Sequence, residues 1–209
     1  MRKPKLRELW EAVKVLIRGP YTMEFPLNGA APEPPPFPRF RGKAKYYQAG
    51  CVGCGACAQV CPAGAITVTD DLKTGKRKLV LDYGRCIFCG TCERGCITQE
   101  GIKLSREFDT AHFDRKSAAN FEIVEKDLAV CECCGAAITG ADHLAWMAER
   151  LGAMAFTNPT LALAAQEKLG LAEAGPKLSP GAAQPSRGDL YRKLCPVCRR
   201  TVLLKEHWI

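Results

Sequence analysis

The chain has 209 residues, a hydrophobic content of 47% and a formal net charge of +8, which excludes wholesale disorder and allows one or two compact domains. No apolar stretch approaches the about 20 residues that a membrane-spanning helix needs, and no secretory signal is predicted. The 13 cysteines fall in tight clusters, which in a non-secreted chain indicates metal ligands rather than disulfides.

The first predicted domain, residues 1–42, consists of an amphipathic helix over 5–18 and a proline-rich arm. Gly19-Pro20 ends the helix, and the prolines between 32 and 38 favour an extended path. Basic residues exceed acidic ones in the helical part, which predicts contact with an anionic lipid surface or an acidic partner. The apolar residues that share one helical face are Leu6, Leu9, Trp10, Val13, Leu16 and Ile17.

The second predicted domain, residues 43–120, contains an internal repeat. CVGCGACAQVC at 51 and CIFCGTCERGC at 86 match at an offset of 35 residues. Strand-like pieces flank each copy, so we expect two copies of one supersecondary unit packed face to face. The predicted fold class is α+β, and the two cysteine runs resemble those of the bacterial two-cluster ferredoxin module.

Each copy has the spacing C-x2-C-x2-C-x3-C, which predicts a [4Fe-4S] cluster. In two-cluster ferredoxins the fourth cysteine of each run ligates the other cluster. We expect Gly53, Gly55 and Gly90 to let the backbone approach the sulfides closely. The predicted ligands are Cys51, Cys54, Cys57 and Cys96 for cluster 1, and Cys86, Cys89, Cys92 and Cys61 for cluster 2.

The third predicted domain, residues 121–209, starts with the strand-like FEIVEKDLAV and has helical patterns near 142–152 and 160–170, followed by a loop over 175–188. Two cysteine knuckles bracket these elements, and together they predict a ribbon or rubredoxin-like four-thiolate site. We expect structural zinc there, with mononuclear iron as the alternative. Two unrelated reduced pairs are the other interpretation, Cys133 is spare, and neither His143 nor His207 is assigned. The predicted ligands are Cys131, Cys134, Cys195 and Cys198.

Residues 5–105 resemble chain I of respiratory complex I and its relatives in membrane-bound [NiFe] hydrogenases. RGPYTMEFP at 18, PRFRGKAKY at 38 and CVGCGACAQVCPAGAI at 51 carry the resemblance. The second run departs from the family pattern, because Ile97 stands where proline is usual. The resemblance implies a peripheral electron-transfer subunit without catalytic residues, on the cytoplasmic side of the membrane, with other iron–sulfur and membrane subunits as partners.

The cysteine-bearing extension is more similar to the iron–sulfur subunit of formate hydrogenlyase and related energy-converting hydrogenases than to a typical complex I chain. A chain I-like subunit of a NADH- or ferredoxin:quinone oxidoreductase is the alternative. A soluble ferredoxin would not need the helix and arm. A zinc-ribbon nucleic-acid-binding protein would use the basic residues near Cys195, but no reader motif accompanies them, so we expect no nucleic-acid partner and no small-molecule substrate.

Overall fold

The computed structural model describes residues 5–19, 25–26, 33, 37–172 and 187–204. The predicted N-terminal helix forms as α1 (Leu6–Arg18), and its first turn is fixed by Glu8, whose carboxylate accepts the Lys5 backbone N–H at 3.1 Å. No residue of α1 is buried. Most of the proline-rich arm, and with it this part of the predicted first domain, lies outside the described residues. No helix in the described ranges is long and apolar enough to cross a membrane.

The internal repeat folds as two similar units, and the strands of one unit pair with the strands of the other. Each unit consists of a strand, a cysteine loop with one helical turn, and a second strand, and the two pairings are antiparallel: β1 with β4, and β2 with β3. Each pairing therefore joins the two copies, as the repeat predicted. The elements are β1 (Ala44–Tyr46), α2 (Ala56–Gln59), β2 (Ile66–Asp71), β3 (Lys76–Asp82), α3 (Thr91–Arg94) and β4 (Ile102–Leu104).

A single apolar core fills the space between these two units. Leu79 and Leu81 of β3 and Ile102 of β4 are each 1% exposed. Residues two apart on a strand face the same side, so Leu79 and Leu81 point into this core together. Cys51 and Cys57 belong to the same buried cluster, which places the cysteine loops directly on the core.

The predicted strand over 121–130 forms β5 (Phe121–Val130), and β6 (Ala137–Gly140) follows it. β5 pairs with β3 as well as with β6, so a four-stranded sheet in the order β2-β3-β5-β6 continues from the ferredoxin-like module into the extension. Val124 lies opposite Leu79 in this pairing and is 3% exposed. The domain boundary at 120/121 stays a prediction, but the two parts share this sheet and its core.

The rest of the extension is helical. The two predicted helices form as α4 (Ala141–Leu151) and α5 (Pro159–Lys168), and α6 (Pro196–Leu204) begins within the second cysteine knuckle. Short 3₁₀ turns stand at Ala118–Asn120, Gly152–Thr157 and Arg187–Tyr191. Leu144 and Leu161 pack α4 against α5 in a second apolar core. Most of the predicted loop over 175–188 lies outside the described residues.

Candidate metal centres

The first predicted ligand set lines one cavity in the ferredoxin-like module. Cys51, Cys54, Cys57 and Cys96 surround about 290 Å³ of space between protein atoms. Three of these cysteines come from the loop after β1, and Cys96 reaches over from the end of the second run. Apolar walls from β3 and β4 close the cavity, which we call cavity 1.

The second predicted ligand set lines a second cavity of about 340 Å³, which we call cavity 2. Here Cys86, Cys89 and Cys92 come from the loop after β3, and Cys61 reaches over from the first run. Leu79 lines cavity 1, and Leu81, which lies about 7 Å further along β3, lines cavity 2, so the two cavities are neighbours. The exchange of the fourth cysteine that the repeat predicted is therefore compatible with the geometry of both cavities.

The donors in these cavities suit a group rich in negative sulfur. Backbone N–H groups point at the thiols: Ala65 donates to Cys61 Sγ at 3.3 Å and Phe88 to Cys86 Sγ at 3.4 Å. Such N–H donors stabilise thiolate and sulfide charge. Four thiols, apolar walls and inward N–H groups together fit a [4Fe-4S] cluster in each cavity.

Left-handed backbone conformations shape both loops. Gly55 and Gly90, at equivalent positions, have φ of 79° and 75° and precede α2 and α3. Gly53 has a φ of 69°, but its equivalent is Phe88, which adopts a φ of 53° despite its side chain. A close neighbour favours glycine at position 53, because an added Cβ would lie 3.2 Å from Lys126 Cβ.

Hydrogen bonds of Thr98 fix the chain that follows Cys96, where the family pattern has a proline. Its hydroxyl donates to the Gly50 carbonyl oxygen at 2.8 Å and accepts the Gly101 N–H at 3.1 Å. The same oxygen lies 3.3 Å from Cys96 Sγ. The chain leaving the second run is thus held by hydrogen bonds where the family pattern has a fixed proline φ.

Burial decides the protonation of several cavity thiols. It raises the pKa of Cys57 to about 12 and that of Cys92 to about 11. Burial also acts to raise the pKa of Cys96, but hydrogen bonds from Thr98 and from the Gly101 backbone outweigh it and lower that pKa. Ligands must bind as thiolates, so iron loading releases protons and is favoured as the pH rises.

The structure brings together all four predicted cysteines of the extension, whose sulfurs lie within 4.8 Å of one another. Cys134 Sγ and Cys195 Sγ are 3.7 Å apart, close to the about 3.8 Å that tetrahedral Zn–S bonds of about 2.3 Å require. Cys131 follows β5 directly, and the turn that carries Cys134 closes with a 2.9 Å hydrogen bond from the Gly135 N–H to the Cys131 carbonyl oxygen.

The four thiols form a closed site. Cys131, Cys195 and Cys198 are buried, and Cys134 is exposed. Burial acts to raise the pKa of Cys131, but backbone N–H groups of both knuckles outweigh it and lower that pKa to about 7. Such a group of thiols with no open ligand position matches a structural metal site rather than a catalytic one.

Of the three residues that the sequence analysis left unassigned, Cys133 and His143 are described and lie outside the ligand set. Cys133 is half-buried and packs against a third buried cluster, which contains Cys131, Cys195, Cys198, Leu194 and Val202. His143 Nδ1 is hydrogen-bonded to Thr139 Oγ1 at 2.8 Å and belongs to the β6–α4 junction instead. His207 lies outside the described residues.

Three polar side chains near cavity 1 were missed by sequence reasoning. The Tyr46 hydroxyl lies 3.7 Å from Cys57 Sγ, and Arg77 and Lys126 donate to backbone carbonyl oxygens on either side of Cys51. No local pattern in the sequence marks these contacts, because Lys126 and Gln48 are 78 positions apart.

Three of the basic residues near the last knuckle, Arg192, Lys193 and Arg199, have partners within the extension, whereas Arg200 is exposed. Arg199 donates to Thr160 Oγ1 at 2.7 Å and to the Arg192 carbonyl oxygen at 2.8 Å. Lys193 pairs with Glu167 at 2.7 Å, and Arg192 with Asp189 at 2.9 Å. These partners hold the cations against the extension rather than presenting them to phosphates.

Comparisons with known proteins agree with the interpretation of the two cavities as cluster sites. Residues 50–99 match the family described as the 4Fe-4S dicluster domain. The chain is 34% identical over 124 residues to NADH-quinone oxidoreductase subunit I 2 of Geobacter metallireducens, and the match covers 56% of this chain and 91% of that protein. The prediction of a two-cluster domain and of its relatives is confirmed.

Two further relatives match less completely. Formate hydrogenlyase subunit 6 of Escherichia coli is 37% identical over 120 residues, covering 57% of this chain and 62% of that protein. NAD(P)H-quinone oxidoreductase subunit I of Gloeobacter violaceus is 31% identical over 103 residues, and the match spans 47% of each chain.

One solved structure, the membrane-bound sulfane sulfur reductase, an archaeal respiratory membrane complex, contains a chain that is 32% identical. The match covers 50% of this chain and 53% of that one, with a TM-score of 0.28. A score this low does not establish a shared overall fold.

Proposed function

Because the chain belongs to the family of NADH-quinone oxidoreductase subunit I, we propose that it is an electron-transfer subunit of a membrane-bound complex related to complex I. The observation that carries this proposal is the pair of adjoining four-cysteine cavities within a subunit I-type chain. When bound there, [4Fe-4S] clusters accept and donate single electrons. The cysteines of each cavity would hold one cluster, Leu79, Leu81 and Ile102 would shield the clusters from water, and backbone N–H groups would donate to the thiolates.

The proposed complex is a hydrogenase of the formate hydrogenlyase type. The match covers 91% of the Geobacter relative but only 56% of this chain, so that protein is too short to match the whole chain. The support for the hydrogenase is the 37% identity over 120 residues to the Escherichia coli formate hydrogenlyase subunit, which, like the Gloeobacter relative, extends beyond its match. A NADH- or ferredoxin:quinone oxidoreductase is the second candidate, because relatives of that name match the same module.

The extension is proposed to hold one zinc ion on Cys131, Cys134, Cys195 and Cys198, with mononuclear iron as the alternative. The sulfur spacing and the burial of three of the four thiols support a closed tetrahedral site. We further propose that α1 contacts a membrane subunit or lipid at the cytoplasmic side, because its apolar face is exposed: Leu6, Leu16 and Ile17 are 86%, 84% and 80% exposed.

Metal analysis of the anaerobically purified chain tests the cofactors. We expect about eight iron and eight sulfide ions per chain, plus one further metal ion. Cys134→Ser should remove the further metal while leaving the sulfide content unchanged. Cys61→Ala should abolish one cluster although Cys61 lies in the first run, and the Cys133→Ser control should change neither count. A protein that holds only zinc would exclude the electron-transfer proposal.

Copurification from native membranes tests the choice of complex. A tagged chain should bring down a large subunit with bound nickel if the complex is a hydrogenase. Flavin- and NADH-binding subunits in its place would exclude the hydrogenase and favour the quinone-reducing alternative.

A further inference from the structure

The β5–β6 hairpin connects the four-thiol site to the cluster-1 loop, which we define as residues 48–57. One knuckle is the turn of this hairpin: Cys131 follows β5 directly, and the Cys131 N–H donates to the Ala136 carbonyl oxygen at 2.8 Å just before β6 begins. A metal bound to Cys131 and Cys134 would therefore fix the tip of the hairpin, and both strands lead from there to the cluster-1 loop.

One strand of the hairpin grips the start of the cluster-1 loop. Lys126 Nζ donates to the Gln48 carbonyl oxygen at 2.6 Å, and Gln48 Nε2 donates back to the Glu125 carbonyl oxygen at 2.9 Å. Lys126 is 9% exposed and also pairs with Asp142 at 3.1 Å. A buried ammonium with these partners holds its position firmly, since losing one partner would leave a charge unpaired.

The other strand lies against the middle of the loop. Gly140 approaches so closely that an added Cβ would lie 2.7 Å from the Val52 carbonyl oxygen. The guanidinium of Arg77 completes this contact, because its NH1 group donates to the Gly53 carbonyl oxygen and to Thr139 Oγ1, both at 3.1 Å.

The loop around cavity 2 has a different environment. At the position equivalent to Gly53 it carries Phe88, whose side chain would collide with β5 and β6 if the hairpin lay there as it lies on Gly53. Within the described ranges, no hydrogen bond joins residues 121–140 to the 86–92 loop. From outside the repeat, Arg41 NH1 donates to the Cys89 carbonyl oxygen of that loop at 3.3 Å.

We propose that the metal of the four-thiol site stabilises cluster 1 and not cluster 2, by fixing the hairpin that clamps the cluster-1 loop. This proposal rests on the proposed function, which supplies both clusters and the further metal. In this proposal the extension of the electron-transfer subunit stabilises cluster 1 selectively. The same contacts make cluster 1 the centre that is lost first when the four-thiol site is emptied.

Two variants of the full chain separate the metal from the clamp. Cys134→Ser alters the exposed thiol of the set and should remove the further metal with little change in packing. Gly140→Ala leaves all four thiols in place but pushes a methyl group against Val52. Cys133→Ser, in the same knuckle but outside the ligand set, is the matched control.

The measurement is the release of iron to a chelator under anaerobic conditions, with freed cysteines alkylated and identified by mass spectrometry over time. In both variants Cys51, Cys54, Cys57 and Cys96 should become alkylated about tenfold faster than in wild type, the effect of losing hydrogen bonds worth about 1.4 kcal/mol in all. Cys61, Cys86, Cys89 and Cys92 should keep the wild-type rate. The further metal should remain in Gly140→Ala.

Equal acceleration of both cysteine sets would overturn the proposal, since it would indicate general unfolding. So would wild-type rates in a Cys134→Ser protein that has lost its further metal. A wild-type chain with no further metal or without sulfide would instead contradict the proposed function, so the two failures are distinguishable.

Discussion

At the residue scale, Tyr46 distinguishes the two cavities. Burial raises the pKa of its hydroxyl far above the usual value, so the group keeps its proton and can act as a donor. Its oxygen lies 3.7 Å from Cys57 Sγ, and a thiolate bound to iron can only accept. The repeat places Leu81 at the equivalent position in the second unit, so cavity 2 has no tyrosine hydroxyl at that position.

Tyr46→Phe should lower the reduction potential of cluster 1 by about 20 to 40 mV, because a weak hydrogen bond to a ligand sulfur favours the more negative, reduced state. Redox titration followed by electron paramagnetic resonance measures the potentials of both clusters. The neighbouring Tyr47, which is 48% exposed, provides the control Tyr47→Phe. A shift of equal size in the control, or in both clusters, would contradict the assignment.

At the element scale, local patterns predicted most of the structure. The strand over 121–130 and the two helices that follow form close to their predicted bounds, and strands flank both cysteine runs as expected. The pairing of β5 with β3 was not predicted, because the sequence pattern does not show which strands become neighbours when about 45 residues separate them. The cysteines were identifiable because metal ligation imposes fixed spacing, whereas the contacts of Arg77 and Lys126 impose none.

The packing of α4 against α5 is testable by a pair of leucines on α4. Leu144 is 4% exposed and Leu151 is 40% exposed. Leu144→Ala should lower the free energy of unfolding of the extension by about 2 to 5 kcal/mol, because it leaves a cavity in the second apolar core. Hydrogen exchange of the β5 and α4 amides measures this loss. Leu151→Ala should cost about 1 kcal/mol or less; similar losses in the two variants would argue against this core.

At the scale of the whole molecule, the described parts combine a buried centre with an exposed attachment. The two cavities are neighbours inside the ferredoxin-like module, and the extension covers the cluster-1 loop. The apolar face of α1 is not buried by any of the described residues. An amphipathic helix gains most of its stability from packing that face, so α1 requires a surface outside the described residues. This requirement agrees with a subunit that docks into a larger assembly.

Ile17 and Val15 test that docking surface, because both are β-branched and exposed but lie about 160° apart around α1. Ile17→Glu should weaken association with membranes and partner subunits about 10- to 100-fold, since it removes the burial of one large apolar side chain, worth about 1.5 to 3 kcal/mol. Val15→Glu introduces the same charge on the opposite face and should leave association unchanged. Iron and sulfide contents should stay at the wild-type level in both variants, because no residue of α1 is buried. Copurification with partner subunits and flotation with native membranes measure the association, and equal losses for the two variants would exclude the Ile17 face as the contact.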